Sequence, residues 1–148
     1  MIAYPNINPI AVDLGFASIH WYGVSYVTGI LAAWVLLQYR ARRFKLSLGN
    51  EQISDLVFFA MLGIIIGGRL GSVFFYNFTY YLAHPEEIFY IHKGGMSFHG
   101  GLIGVIFSVW FFSYKNNISF FRITDFIVPV VPIGLGCGRI GNFINGEL

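Results

Sequence analysis

The sequence predicts an all-α, polytopic integral membrane protein with about four transmembrane helices, the fourth broken by Pro and Gly. Three observations predict it. Only 11% of the 148 residues are charged while 56% are hydrophobic, against roughly 25% charged in an average soluble domain, and the mean hydropathy is +0.67. Apolar runs close to the ~20 residues that cross a bilayer as a helix recur along the chain. Lys and Arg gather in the segments between those runs, as the positive-inside rule expects. A soluble domain of this size would have to hide 16 Phe and 9 Tyr without a polar surface to match. The net charge of +2, with no basic face interleaved with aromatics, excludes nucleic acid as a partner. A single cysteine, Cys137, excludes an internal disulfide and any Cys-cluster metal site.

The first span is Ile19 to Tyr39, with Trp21, Tyr22 and Tyr26 near its start as interfacial anchors. No Lys or Arg precedes Arg40, so the basic region of a cleavable signal peptide is lacking and the span is expected to be retained. Arg40, Arg42, Arg43 and Lys45 follow at once; they place this end in the cytoplasm and the N-terminus outside. The second span, Ile53 to Tyr76, carries Gly63, Gly67 and Gly71 on one helix face, where small residues let helices approach closely. Arg69 beside them reads as a structural charge, paired within the bundle or snorkelling, placed behind a site and not in direct contact with a ligand. Asn77 to Lys93 is polar and poor in positive charge, which fits an external loop. Its His84 and His92 match no metal-binding pair at i, i+4, so no metal is predicted. The third span starts at Met96 or Ser97 and ends at Tyr114, and Lys115 and Arg122 then lie on the cytoplasmic side. Thr124 to about Asn142 carries Pro129, Pro132 and several glycines, which argues against a straight helix. Broken backbone at membrane depth is tolerated where protein or a watery cavity satisfies its freed groups, so the site is expected there.

Polar chemistry concentrates in two stretches, Gly94-Gly95-Met96-Ser97-Phe98-His99-Gly100-Gly101 and Gly138-Arg139-Ile140-Gly141-Asn142-Phe143-Ile144-Asn145-Gly146-Glu147. A charged side chain at membrane depth costs at least ~2.5 kcal/mol, so each needs a partner, a cavity or a task. Gly136-Cys137-Gly138-Arg139-Ile140-Gly141 fits the dinucleotide pattern G-x-G-x-x-G, but no strand precedes it and no βαβ unit surrounds it. Ser97 lacks the closing glycine of a G-x-S-x-G nucleophile turn. Cys137 reads as a small packing residue among glycines. Arg139, Asn142, Asn145 and Glu147 together read as an anion site: the guanidinium offers a fixed fork of donors, the amides add neutral ones, and phospholipid is the nearest phosphate. The competing structural reading pairs Arg139 with Glu147. His99 alone could equally cap the third helix at the interface.

Trp21-Tyr22-Gly23, the stretch Gly94 to Gly104 and the stretch Gly138 to Glu147 resemble the bacterial phosphatidylglycerol–prolipoprotein diacylglyceryl transferases, and the resemblance runs along the whole chain. Members of that family are considerably longer, and the sequence ends within the family's signature motif. Residues 1–148 are therefore expected to form a single integral membrane domain, truncated at that motif, and a second functional Arg of the family falls in its later half. The resemblance implies transfer of a diacylglyceryl group from phosphatidylglycerol to the lipobox cysteine thiol of a prolipoprotein. It places the reaction at the external side of the bacterial inner membrane, with no cofactor. It also implies the roles of residues: His99, Arg139 and Tyr22 in catalysis, and Arg139, Asn142, Glu147 and Gly100 in binding phosphatidylglycerol. Imidazole suits thiol activation, since free thiol (~8.5) and free imidazole (~6.5) differ by about 2 pKa units, roughly 2.7 kcal/mol. Two other classes fit the composition: a transporter or channel half whose broken fourth segment lines an anion pathway, and a noncatalytic phospholipid-binding membrane subunit.

Overall fold

A computed structural model describes residues 5–45, 47–91 and 94–147. His92 and Lys93 lie outside the described residues. By backbone contacts the chain forms two compact units, Met1–Leu48 with Asp125–Leu148, and Gly49–Thr124.

The first unit opens with a two-stranded antiparallel hairpin, β1 (Ile10–Asp13) and β2 (Ser18–His20). Asp13 Oδ1 accepts from the Gly15 N–H at 2.9 Å, and Gly15 turns the chain at φ +79°. This hairpin adds to the all-α expectation; its strands are too short for an alternating pattern to stand out beside the aromatic run that follows. Helix α1 (Trp21–Arg43) ends on Arg40, Arg42 and Arg43, cations that favour the negative end of the helix dipole. It packs against α6 (Val131–Asn145), which follows α5 (Phe120–Ile127) and a single 3-10 turn at Val128–Val130. The expected break thus comes from proline: Pro129 falls in the 3-10 turn, and Pro132 in the first turn of α6, where its missing N–H costs nothing. The glycines do not break α6, which runs unbroken to Asn145. Its contact with α1 uses them: a Cβ on Gly29 would lie 3.2 Å from Cys137 Cβ, and one on Gly141 would run into Ser25 Oγ. Cys137 is accordingly a packing residue, half-buried against α1. Leu37, Ala41, Phe126 and Val130 are buried, and Arg40 Nε donates to Phe126 O at 3.3 Å.

The second unit is built on α2 (Asn50–Gly71) lying antiparallel to α4 (Phe98–Lys115). Their contact is backbone on backbone: a Cβ on Gly67 would strike Gly100 O and Gly104 Cα, one on Gly63 would strike Gly104 O, and one on Gly71 would lie 2.7 Å from Gly100 Cα. In lipid no hydrophobic force drives helices together, so van der Waals packing through small residues holds this pair. Ile53, Leu56, Val109 and Phe112 fill the far end, which Gln52 Nε2 closes by donating to Asn116 Oδ1 at 2.9 Å. At the other end α2 runs into a π turn, Ser72–Tyr76, then α3 (Phe78–Ala83) and a 3-10 turn at Pro85–Phe89.

Among the described residues, three helical segments are long and apolar enough to cross a membrane, by length and composition: Trp21–Arg43, Asn50–Tyr76 and Phe120–Asn145. The expected count of four is corrected by α4. Its 18 residues give only about 27 Å at ~1.5 Å each, and its ends are spent on His99, Gly100 and Gly101 at the start and Lys115 at the finish.

Candidate functional site

In the first unit the polar cluster forms where the start of α1 meets the end of α6. Tyr22 Oη donates to Tyr26 Oη at 3.0 Å, one helical turn on, with the rings 4.8 Å apart. This pair covers the glycines of α6: a Cβ on Gly141 would lie 3.2 Å from Tyr22 Cδ2, and one on Gly138 would lie 3.8 Å from Tyr26 Oη. Tyr22 is thus set against the turn that carries Arg139 and Asn142. Helix α6 stops at Gly146 (φ +76°), whose N–H donates to Phe143 O at 3.1 Å while Glu147 N–H donates to Asn142 O at 2.9 Å. This is a Schellman ending, and it directs the chain bearing Glu147 back over the last turn. Arg139 is exposed and makes no hydrogen bond or ion pair among the described residues, so it is not held by Glu147. Asn145 Oδ1 is buried with no partner among the described residues, an acceptor left open at the end of the helix.

In the second unit the Gly94–Gly101 stretch lies over the end of α2. Ser97 caps α4, its Oγ accepting from Gly100 N–H at 3.2 Å, and Ser97 N–H donates to Gly68 O at 2.8 Å. The next two residues bring His99 into the first turn of α4, exposed, with its ring 5.8 Å from that of Phe98 in an edge contact. Gly100 is buried against α2, where a Cβ would meet Gly67 O and Gly71 Cα; helix packing alone accounts for glycine there. Arg69 is 5% exposed and bonded to backbone carbonyls of the loop before α4. It is a structural charge held within the unit.

Of the residues the sequence points to, Tyr22, Arg139, Asn142 and Glu147 therefore gather in the first unit, and His99, Gly100 and Arg69 belong to the second. Sequence reasoning missed the supports around them. Tyr26 was read only as an anchor, although the i, i+4 spacing from Tyr22 is the geometry of a helix pair. Ser25, Ser97 and Tyr81 carried no signal beyond the Ser-x-x-Gly start of α4. Among the described residues no three His, Cys, Asp or Glu side chains come together as a metal site would need.

Apolar helices of crossing length, glycine-lined helix contacts and polar clusters at helix ends define a polytopic helical membrane protein. A profile of the prolipoprotein diacylglyceryl transferase family matches residues 9–148. All 148 residues align at 56% identity with a phosphatidylglycerol–prolipoprotein diacylglyceryl transferase of Ectopseudomonas mendocina, covering 56% of that protein. They align at 51% with one of Legionella pneumophila, covering 58%, and at 55% with one of Pseudomonas paraeruginosa, covering 56%. The chain spans a little over half the length of these curated relatives. It belongs to the prolipoprotein diacylglyceryl transferase family.

Proposed function

We propose that the protein transfers the diacylglyceryl group of phosphatidylglycerol to the lipobox cysteine thiol of a prolipoprotein. The observation that carries this reading is Arg139: an exposed guanidinium on an otherwise apolar span, on the turn of α6 that carries Asn142 and packs through Gly141 against Tyr22, and without a protein partner among the described residues. Such a cation calls for an anion from outside the chain, and a phospholipid phosphate is the anion that a membrane supplies. The names of the relatives supply the reaction class.

In this reading the chain is one integral membrane domain in the bacterial inner membrane, N-terminus external, with Arg40–Lys45, Lys115 and Arg122 in the cytoplasm. Helix α4, which falls short of a crossing by its own length and composition, here traverses the bilayer alongside α2, so that the start of α1, the start of α4 and the end of α6 reach the external side. His99 takes the proton of the cysteine thiol, and the sulfur attacks the glyceryl carbon of phosphatidylglycerol. The carbon–oxygen bond to phosphate breaks, its electron pair leaves with glycerol phosphate, and the proton passes from the imidazole to solvent. Arg139 binds the phosphate and stabilises the charge that grows on it, with Tyr22 and Asn142 as neutral donors. Glu147, carried on the turn that ends α6, orients that segment toward the bound phospholipid. Gly100 lets the first turn of α4 close against α2, which brings His99 to its place.

The test uses the complete gene product in phosphatidylglycerol vesicles with a lipobox peptide. Loss of free thiol and release of glycerol phosphate are expected in equal amounts, and both are expected to stop in Arg139→Ala. Phosphatidylglycerol binding with no loss of thiol would assign a lipid-binding subunit instead, and anion flux without either would assign a transporter.

A further inference from the structure

We propose that Arg69 is a positioning residue that sets the Gly94–Gly101 loop and, through it, the place of His99, without touching substrate. The proposal rests on the reading of His99 as the base of the transfer. The guanidinium is buried under the loop: Nε donates to Ile88 O at 2.9 Å, Nη2 to Glu87 O at 2.6 Å, and Nη1 to both Gly94 O and Gly95 O. Four of its five N–H groups are thereby committed to backbone carbonyls, which leaves no fork for a phosphate. Its central carbon lies 5.2 Å from the centre of the Tyr81 ring, which covers one face.

The loop is shaped to receive these donors. Gly94 and Gly95 both hold φ near +80°, a conformation that side-chain-bearing residues rarely adopt. A Cβ on Gly95 would lie 3.0 Å from Arg69 Nη1 and 3.2 Å from Ser72 Oγ. From Gly95 the chain has two residues before Phe98 begins α4, and one of them, Ser97, is tied by its N–H to Gly68 O, the carbonyl next to Arg69. The entry angle of α4, with His99 in its first turn, is thus fixed by bonds to two adjacent residues of α2. A lysine cannot replace this hold: its donors sit on one nitrogen, whereas the carbonyls of residues 87, 88, 94 and 95 are engaged by three.

The experiment compares Arg69→Lys, Arg69→Ala and Gly95→Ala in the complete gene product. It reads kcat, KM for phosphatidylglycerol, and the carbon resonance of the His99 imidazole, identified by its loss in His99→Gln. A small displacement of a reacting group costs about 100-fold in rate, so kcat is expected to fall on that scale in Arg69→Lys and Gly95→Ala. KM should stay within about twofold, and the His99 resonance should shift or broaden. Unchanged kcat in Arg69→Lys, or a His99 resonance that does not move, overturns the proposal. Where Arg69→Ala fails to fold, the other two variants carry the test. Full activity in His99→Gln would overturn the reading of His99 as base, while a shifted resonance in Arg69→Lys would still establish Arg69 as its positioner.

Discussion

Two arginines of this chain sit near helix ends in segments of crossing length, and their surroundings are opposite. Arg69 is 5% exposed, and its donors are taken up by loop carbonyls. Arg139 is exposed, with none of its donors taken by the described residues. A guanidinium near hydrocarbon must be neutralised by something; Arg69 has found the protein's own backbone, and Arg139 is left to find its partner elsewhere. The difference separates a charge that builds the fold from a charge kept for a ligand. The same contrast divides the glycines. Those of α2 and α4 lie in backbone contact, whereas Gly134 and Gly136 of α6 have open space where a side chain would go.

The sharpest way to break this contrast is to remove Arg139. Arg139→Ala is expected to lower transfer by about 1,000-fold, the scale of a lost oxyanion donor, and Arg139→Lys should recover little of it. Amide exchange in α1 and α6 should be unchanged, because Arg139 bonds nothing there. Arg69→Ala should behave in the reverse order. It is expected to destabilise the α2–α4 unit by about 2–4 kcal/mol, since it leaves several loop carbonyls short of donors, and denaturant unfolding in mild detergent would measure the loss. Next in size, Gly104→Ala should cost about 1–3 kcal/mol because its Cβ would be driven into Gly63 O, which is backbone and cannot give way. Gly134→Ala should instead be neutral or gain up to about 1 kcal/mol, as alanine is the better helix former and nothing opposes its methyl.

The smallest effect is expected at Tyr80, whose hydroxyl donates to Glu87 Oε2 at 2.8 Å. That hydrogen bond, with the nearby carboxylate, keeps the phenol protonated above the usual tyrosine range. A raised folded-state pKa stabilises at neutral pH and stops doing so as pH rises through it. Ultraviolet titration should show a late-titrating component that is lost in Tyr80→Phe, with little change in stability because the pair is exposed.

What the sequence made legible follows from how local each signal is. The crossing lengths of α1 and α2, the basic cluster that ends α1 and the Gly63–Gly67–Gly71 stripe are properties of a single segment, and they appear in the structure as expected. Helix α4 falls short of a span by length and composition because its end residues His99 and Lys115 remain helical while too polar for the bilayer core. The continuity of α6 was hidden because glycine's low helix propensity is outweighed by packing on α1, which its lack of side chains permits. The bonds of Arg69 could not be foreseen at all. They run to backbone carbonyls 18 to 26 residues away, and a carbonyl has no letter in a sequence. The polar residues of the candidate site were visible as types out of place in an apolar chain, whereas the tyrosine pair that packs on their turn is a matter of two helices meeting.

The most direct measurement is the intact mass of a lipobox peptide after incubation with phosphatidylglycerol and the complete gene product, run beside Arg139→Ala and Arg69→Lys. A diacylglyceryl gain from the unaltered protein, absent with Arg139→Ala and slowed with Arg69→Lys, is the predicted result. A folded protein that leaves the peptide mass unchanged, or an Arg139→Ala chain that still adds the group at full rate, would contradict it.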